Sequence, residues 1–432
     1  MFGYYLDLAV RSLKHNKVLT LLMVLTLALG IGASITTLTV ATLLSGNPLP
    51  GKSGRLFHPQ IDPFPQDGYV SGQTQPPFTL TYRDAMNLLQ LHRADRQALV
   101  SAATVGVTKS DGVEPIWGNG VLTTADFFPM FDSPFQFGAG WNVGDDAAHQ
   151  RVVVIAGYIN DQLFGGADSV GRSVRIHGHD FRIVGVLKHW APQPRFYGAE
   201  LDGHTFGDGD AVFMPLEAAL DAGIGGMPGQ CFGTGDQRDP RAMPCTWLGF
   251  WVELDSAEAV AHYRNLLDGY VRDQIKQGQF YRSDTALPDL TQLMHREELV
   301  PHSVKLKAGL AFGFLLVCVV NTVGLLLAKC LRRSQEIGVR RALGATRGHI
   351  FAQFMMEAAL IGVAGGVLGL LFAELGLWGT RHQPAEYASL ARLDPKMFLL
   401  TFVVALAASL LAGLLPSWRA SGVAPASQIK AG

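Results

Sequence analysis

The run from Val18 to Leu44 limits the fold more than any other part of the sequence, because its 27 residues carry no charge. The hydrocarbon core of a bilayer takes about 20 apolar residues in a helix. A secretion signal has an apolar core of only about 7–15 residues, so this run is too long for one, although basic residues precede it. Residues 18–44 are therefore predicted to form a retained membrane helix.

Three further stretches have the length and composition of a membrane span. Residues 309–328 and 397–415 carry no charge, and residues 352–378 carry only two acids, Glu357 and Glu374. We therefore predict four transmembrane helices, at residues 18–44, 305–328, 352–378 and 397–415.

Lys and Arg residues predict the orientation, because cytoplasmic loops of membrane proteins are enriched in them. The short amphipathic segment 1–17 carries three, and the loop 329–351 carries six. This places the segment 1–17, the loop 329–351 and the tail 416–432 in the cytoplasm. Residues 45–304 and the short loop 379–396 must then lie on the outer side.

The outer segment has the pattern of a folded domain. Arg151–Ala156 is typical of a buried strand, and Ser173–Leu187 is typical of two strands around a turn at Gly178. Asp84–Leu91 and Ala257–Gln277 carry apolar residues at helical spacing. The predicted fold class is an α-helical membrane protein with four transmembrane helices and a large α+β extracytoplasmic domain between helices 1 and 2.

One short stretch imitates a nucleotide site. Residues 46–53 read GNPLPGKS and fit the phosphate-loop pattern G-x-x-x-x-G-K-[ST]. That loop needs a strand before it and a helix after it, whereas a membrane span precedes this copy and Gly54 and Pro59 follow it. Pro48 and Pro50 also lack the backbone N–H groups that would hold phosphate. We interpret the stretch as the exit of the first membrane helix.

The sequence gives little indication of nucleic-acid binding, catalysis or metal binding. A net charge of −1 gives no reason to expect nucleic acid as a partner. We find no catalytic constellation and no metal-ligand spacing. Cys231 and Cys245 lie in the outer domain, where an oxidising compartment permits a possible disulfide between them. Cys318 and Cys330 are expected to be packing residues of the second span.

The third span contains two features that suggest more than an anchor. An acid inside a membrane is a functional candidate by default; Glu357 is either such a site or a side chain that reaches the interface, and Glu374 is expected at the interface. Four glycines recur at the spacing that lets helices pack closely, and we favour packing against a second copy of the chain. These glycines are Gly362, Gly365, Gly366 and Gly369.

The cytoplasmic stretch Arg332–Ala358 combines basic residues with small ones at helical offsets. A basic amphipathic helix can lie on anionic lipid. It can also dock into a groove of a protein partner. The residues alone leave both interpretations open.

Several long motifs resemble one family. EIGVRRALGATR (Glu336–Arg347), with VVNTVGLLLAK before it and QFMMEAALIGVAGGVLGLL after it, closely resembles the cytoplasmic loop region of FtsX/MacB-type ABC transporter permeases. LFGGADSVGRSVRIHGHDFRIVGVL resembles the periplasmic domain of that family, and LLPSWRASGVAPASQIKAG resembles its C-terminal end. The resemblance spans nearly the whole chain.

The resemblance implies a bacterial inner-membrane permease with a periplasmic domain. Such a permease pairs with an identical or related permease and contacts membrane lipid. On its cytoplasmic side it binds two ATPase subunits, which hold ATP and Mg²⁺, so this chain needs no cofactor. The residues that would seat in the ATPase are Glu336, Ile337, Gly338, Val339, Arg340, Arg341, Ala342, Leu343, Gly344 and Ala345.

The implied function is mechanical and non-catalytic. MacB proper carries its ATPase at its own N-terminus, whereas this chain starts close to the first span, so the ATPase is expected to be a separate polypeptide. We expect the permease half of an exporter, which can work with a periplasmic adaptor and an outer-membrane channel. The alternatives are an FtsX-like signalling permease that regulates cell-wall hydrolases and a lipoprotein-extracting permease.

Overall fold

A computed structural model describes residues 2–68, 75–109, 112, 114–226, 229–232, 238–297, 302–383 and 387–422. The last part of the predicted tail, 423–432, and the end of the predicted outer domain, 298–301, lie outside the described residues. The chain divides into two compact units, one formed by Met1–Leu44 with Pro301–Gly432 and the other by Ser45–Val300.

The helices are numbered along the chain as α1 (Phe2–His15), α2 (Lys17–Ser45), α3 (Tyr82–Gln90), α4 (Phe127–Met130), α5 (Val143–Ala147), α6 (Gly157–Phe164), α7 (Ala199–Asp202), α8 (Leu216–Asp221), α9 (Ala257–Lys276), α10 (Leu290–Arg296), α11 (His302–Arg332), α12 (Ser334–Ala342), α13 (Arg347–Arg381) and α14 (Pro395–Ser421). The strands are β1 (Leu56–Phe57), β2 (Gln60–Ile61), β3 (Leu80–Thr81), β4 (Arg96–Lys109), β5 (Ile116–Thr123), β6 (Phe135–Gly138), β7 (Val152–Ile155), β8 (Ser173–Ile176), β9 (His179–Leu187), β10 (Val212–Pro215), β11 (Thr246–Glu253) and β12 (Thr285–Ala286).

Four helices of the first unit, α2, α11, α13 and α14, are long and apolar enough to cross a membrane. The prediction of four candidate spans is therefore confirmed. Each helix is longer than its predicted span. The largest difference at a C-terminus is in α14, which continues past Pro416 to Ser421, whereas the sequence suggested that the span ends at residue 415. Pro416 is buried within the helix.

The helices of this unit are packed through small residues and short polar bonds. α13 packs along α14, α11 packs against α14, and α1 packs against α13. The hydroxyl of Ser34 on α2 donates to the carbonyl of Ala311 on α11 at 3.0 Å, and the hydroxyl of Thr36 donates to the carbonyl of Ala373 on α13 at 3.2 Å. These bonds satisfy polar groups where no water is present to do so.

The second unit is built on a ten-stranded mixed sheet with the path order β1-β11-β4-β5-β10-β7-β9-β6, from which β3 and β8 branch. Two pairs are parallel, β5 with β10 and β7 with β9, and the other pairs are antiparallel. Successive residues of a strand face opposite sides of a sheet. Accordingly, Val152 and Val154 of β7 pack in one apolar cluster, while Val153 and Ile155 pack in the other.

Helices cover both clusters. The first cluster packs against α3, α6, α8 and α9. The second packs against α4 and α10 and contains aromatic side chains that meet Phe127 edge to face. β12 pairs with β2 in a separate two-stranded ladder. Cys231 and Cys245 are joined by a disulfide, so the structure brings together the two cysteines that the sequence singled out.

Candidate functional site

The centre of the predicted ATPase-coupling region is α12, a short helix between the long helices α11 and α13. It ends because Gly344 adopts a left-handed conformation with φ of +101°. The N–H of Gly344 donates to the carbonyl of Arg341 and the N–H of Ala345 donates to the carbonyl of Arg340, both at 3.1 Å. This is the glycine-dependent Schellman ending of a helix. Gly344 and Ala345 therefore lie in the turn after the helix rather than in it.

One face of α12 is buried within its own chain. Ile337 and Gly338 are buried, and Ile337 packs with Cys330 of α11, Phe354 of α13 and Ala420 of α14 in an apolar cluster that also holds Ile350. Ile337 and Gly338 therefore face their own chain in this structure, and their contact with a partner stays a prediction. Ile337 seats α12 against three neighbouring helices.

The opposite face of α12 is exposed and largely apolar. Val339 and Leu343 are 60% and 83% exposed and lie one helical turn apart. Ala342 and Glu336 are exposed on the same side, while Arg340 and Arg341 are half-buried at its edges. Exposed apolar side chains on one side of a helix can bind a protein partner or lie on lipid. We call Glu336, Val339, Ala342 and Leu343 the docking face.

A chain of charges ties α12 to α11 and α13. Lys329 of α11 and Glu357 of α13 are 1% and 0% exposed, and Lys329 Nζ lies 2.6 Å from Glu357 Oε2. Arg333 follows, with Nη1 at 3.3 Å from Glu357 Oε1 and Nε at 2.9 Å from Glu336 Oε2. Arg340 closes the chain, because its Nη2 lies 2.6 Å from Glu336 Oε1.

These contacts decide between the two interpretations of Glu357. The Glu357 side chain does not extend towards the membrane interface. It is buried between Lys329 of α11 and Arg333, which follows α11. Glu374, by contrast, is about half exposed and pairs with Arg381 at 2.7 Å. Of the two acids in α13, Glu357 is the one placed inside a polar network.

Glu336 shows how the network acts outside the membrane-spanning helices. Partial burial would raise the pKa of its carboxyl. The hydrogen bond and charge of Arg333, with the charge of Arg340, outweigh burial and lower that pKa. The carboxylate therefore stays ionised and holds the two arginines on either side of it. Arg340 Nη1 in turn donates to Gln353 Oε1 of α13 at 3.0 Å.

The four glycines of α13 pack closely against other helices of the same chain. A Cβ on Gly362 or Gly366 would meet Ser409 or Ala405 of α14, the latter at 3.0 Å. A Cβ on Gly365 or Gly369 would lie 3.2 Å from Leu27 or 3.0 Å from Ile31 of α2. One pair packs against α14 and the other against α2, and packing of these glycines against a second copy stays a prediction. A side chain at Gly362 would collide with Ser409, and at the other three positions it would press on the neighbouring helix.

The polar side chains of the phosphate-loop-like stretch form hydrogen bonds and an ion pair within the protein. Lys52 Nζ donates to the carbonyl of Pro129 at 2.7 Å and pairs with Asp132 at 2.7 Å. The hydroxyl of Ser53 donates to the carbonyl of Leu49 at 2.6 Å. Turns, and then the short strand β1, follow in place of a helix. The lysine that would hold phosphate is committed to the end of α4.

Lys52→Ala is expected to leave ATP turnover of the assembled complex unchanged, because Lys52 makes only contacts within its domain. The same change removes the hydrogen bonds to the carbonyls of Pro129 and Met130 and the ion pairs with Asp132 and Glu253. The unit formed by residues 45–300 should therefore lose about 1–2 kcal/mol of unfolding free energy. ATPase assays and thermal denaturation of one preparation measure both. Loss of turnover in a complex that remains assembled and folded would contradict this interpretation.

Two families match the chain. Residues 20–269 match the MacB-like periplasmic core domain, and residues 308–425 match the FtsX-like permease C-terminal domain. The chain belongs to the MacB/FtsX family of ABC transporter permeases. It is an inner-membrane protein with a MacB-like periplasmic domain and four candidate spans.

Curated relatives are similar over most of the chain. The chain is 24% identical over 317 residues to the uncharacterized ABC transporter permease YvrN of Bacillus subtilis (strain 168), covering 71% of this chain and 68% of that protein. It is 27% identical to the pyoverdine export ATP-binding/permease protein PvdT of Pseudomonas aeruginosa, covering 70% of this chain. It is 25% identical to the macrolide export ATP-binding/permease protein MacB of Shigella boydii serotype 4, covering 98% of this chain. It spans 41% of the length of PvdT and 60% of that of MacB.

Solved structures also match. The periplasmic region of MacB from Actinobacillus actinomycetemcomitans is 12% identical, with a TM-score of 0.37, and the match covers 60% of this chain and 98% of that structure.

Proposed function

We propose that this chain is the permease subunit of an export complex in which a separate ABC ATPase hydrolyses ATP and the permease transmits the resulting motion to its periplasmic domain. The observation that carries the proposal is the construction of α12. Val339 and Leu343 are exposed on one side, and the other side is fixed to α11, α13 and α14 by the Ile337 cluster. A helix of this kind can bind a groove on one side and move its neighbours with the other.

Transmission follows from the contacts of α12. An ATPase that shifts the docking face would shift Ile337 with it, and packed apolar clusters move as units because protein interiors have few voids. The pairs of Arg333 with Glu336 and Glu357 join the same displacement to α13. The motion would then pass along α11 and α13. We propose a mechanical stroke of the domain, which drives efflux of a small molecule, a peptide or a lipid-like substrate.

The ATPase is proposed to be a partner subunit, present in two copies, that binds ATP and Mg²⁺. The self-contained contacts of Lys52 support this, because they leave the phosphate-loop-like stretch unable to hold a nucleotide. The names of PvdT and MacB combine ATP binding with a permease. We further propose pairing with an identical or related permease, and cooperation with a periplasmic adaptor and an outer-membrane channel.

The proposed topology has α12 and both termini in the cytoplasm and residues 45–300 in the periplasm. Support comes from the six Lys and Arg residues in 329–351. In the oxidising periplasm the Cys231–Cys245 disulfide would persist.

Co-purification tests the proposal. The tagged full-length chain, extracted from its native membrane in mild detergent, is expected to retain an ABC ATPase, and ATP with vanadate should change the distance between spin labels on two permease copies. A folded, paired permease that retains no ATPase would contradict the proposal. An ATPase that turns over and moves the labels without moving any cargo would favour the signalling alternative.

A further inference from the structure

A cavity of about 300 Å³ lies in the extracytoplasmic unit, at the end of two neighbouring strands. β5 and β10 run parallel, so the chain leaves both strands at the same edge of the sheet. The segments that follow, Thr124–Asp126 after β5 and Leu216 with Glu217 on α8, line the cavity. In sheets with parallel strands, ligands bind beyond the carboxyl ends of those strands.

The walls are mostly apolar. Met86 and Leu89 of α3, Val143 of α5 and Leu216 of α8 contribute most of them. Small-molecule sites have this character, with a few polar groups that fix the orientation of the ligand. The apolar walls indicate that the body of a bound molecule is itself apolar.

Gln97 also lines this space. It is 5% exposed, and its Nε2 donates to the carbonyl of Leu89 at 3.0 Å. Its Oε1 is buried and has no hydrogen-bond partner among the described residues. A buried acceptor without a partner destabilises the folded chain, and a donor on a bound molecule that reaches it would remove that cost.

The titratable groups of the lining are three carboxylates, Asp126, Asp146 and Glu217, and two histidines, His92 and His149. Asp146 accepts from the backbone N–H of Ala125 and from Trp141 Nε1, both at 2.7 Å. Burial raises the pKa of Asp146 to about 6; these two hydrogen bonds oppose the rise, and the charges of Asp126 and Asp145 add to it. Repulsion from Asp126 and Asp145 therefore adds to the cost of ionising Asp146.

Asp126 is the carboxylate best placed to accept from a ligand. Its Oδ2 accepts from the backbone N–H of Gln97 at 3.0 Å. Within the described ranges no ion pair reaches it, since nearby Arg96 donates to Glu253 at 2.7 Å. Glu217, the third acid in the lining, is already paired with Arg241 at 2.7 Å.

We infer that this cavity binds a small apolar molecule with an ammonium group, which donates to Asp126 and to Gln97 Oε1 while its apolar body lies against Met86, Leu89, Val143 and Leu216. An anion would be repelled by the acids, and a neutral molecule would gain less from the charge of Asp126. The site needs neither ATP nor an ATPase, so it stands independently of the proposed transport role.

Three isosteric probes test this inference on the full chain in detergent. They are 2-phenylethylamine, 2-phenylethanol and phenylacetate, titrated calorimetrically at pH 7.5 with blank micelles subtracted. We expect the protonated amine to bind at least about tenfold more tightly than the alcohol, because hydrogen bonds to charged groups contribute about 1.5–3 kcal/mol. Phenylacetate should bind most weakly.

Two variants and a control locate the binding. Asp126→Asn keeps the acceptor for the Gln97 N–H and should abolish the preference for the amine. Ala147→Phe fills the cavity, which Ala147 lines, and should weaken the amine and the alcohol alike. Asp273→Asn removes an exposed acid of α9 and should change nothing. Absence of amine binding to the folded wild-type chain, or an unchanged preference in Asp126→Asn, would overturn the inference.

Discussion

Glu357→Gln is expected to destabilise the unit of four spans by about 3–5 kcal/mol, because it removes the anion from a buried pair and leaves the cation behind. Lys329 is 1% exposed and lies 2.6 Å from this carboxylate. Neutral glutamine keeps the size of the side chain, so the loss reports charge and not a cavity. Equilibrium unfolding in sodium dodecyl sulfate, followed by fluorescence, measures the change.

The matched control is the other acid of the same helix. Glu374 is about half exposed and pairs with Arg381, and exposed pairs contribute only about 0–1 kcal/mol. Glu374→Gln should therefore unfold close to the wild type. Equal losses for the two variants would show that the buried network has no special role.

A second variant, Lys329→Met, removes the cation of the same buried pair. It should cost less than Glu357→Gln, because Glu357 keeps Arg333 at 3.3 Å when Lys329 is gone. The double variant should cost less than the sum of the two single changes, since residues in one ion-pair network are coupled. Strict additivity of the two changes would mean that Lys329 and Glu357 act independently although they lie 2.6 Å apart.

The sequence predicted the membrane part well because apolar composition alone sets it. A helix in a bilayer must satisfy its own backbone, so a long uncharged run has few alternatives. The partner of Glu357 was beyond that argument. Lys329 was assigned to the cytoplasmic loop because it is charged, and it is in fact buried in α11, 28 residues from its partner. Only the packing of both α11 and α13 against α14 brings the two together.

Which neighbour each side of a helix packs against was harder to predict than the helix itself. Small residues in α13 predicted close packing, but the sequence cannot say whether a glycine meets its own chain or a second one. In α12 the pattern marked Ile337 and Val339 equally, and only the neighbouring helices distinguish the buried side from the exposed one. The cavity depends on β5 lying beside β10. The two strands pair at positions 92 residues apart in the sequence, as Val212 does with Gly120.

The docking face carries the final prediction. Val339→Gln combined with Leu343→Gln is expected to weaken binding of the partner ATPase by at least about 30-fold, because a few central apolar side chains carry most of the energy of an interface. Glutamine forms helices better than valine, so α12 should remain intact. Binding is measured by interferometry on the permease in lipid nanodiscs, and ATP turnover of the complex should fall with it.

Two controls separate docking from folding. Val170→Gln makes the same change at an exposed valine of the other unit and should leave ATPase affinity unchanged. Ile337→Val trims the buried side of α12, and it should lower stability by about 0.5–1.5 kcal/mol with affinity nearly intact. If the double glutamine variant is folded and binds the ATPase like the wild type, the exposed side of α12 is not the contact, and the proposed path from ATP to α11 and α13 fails at its first step.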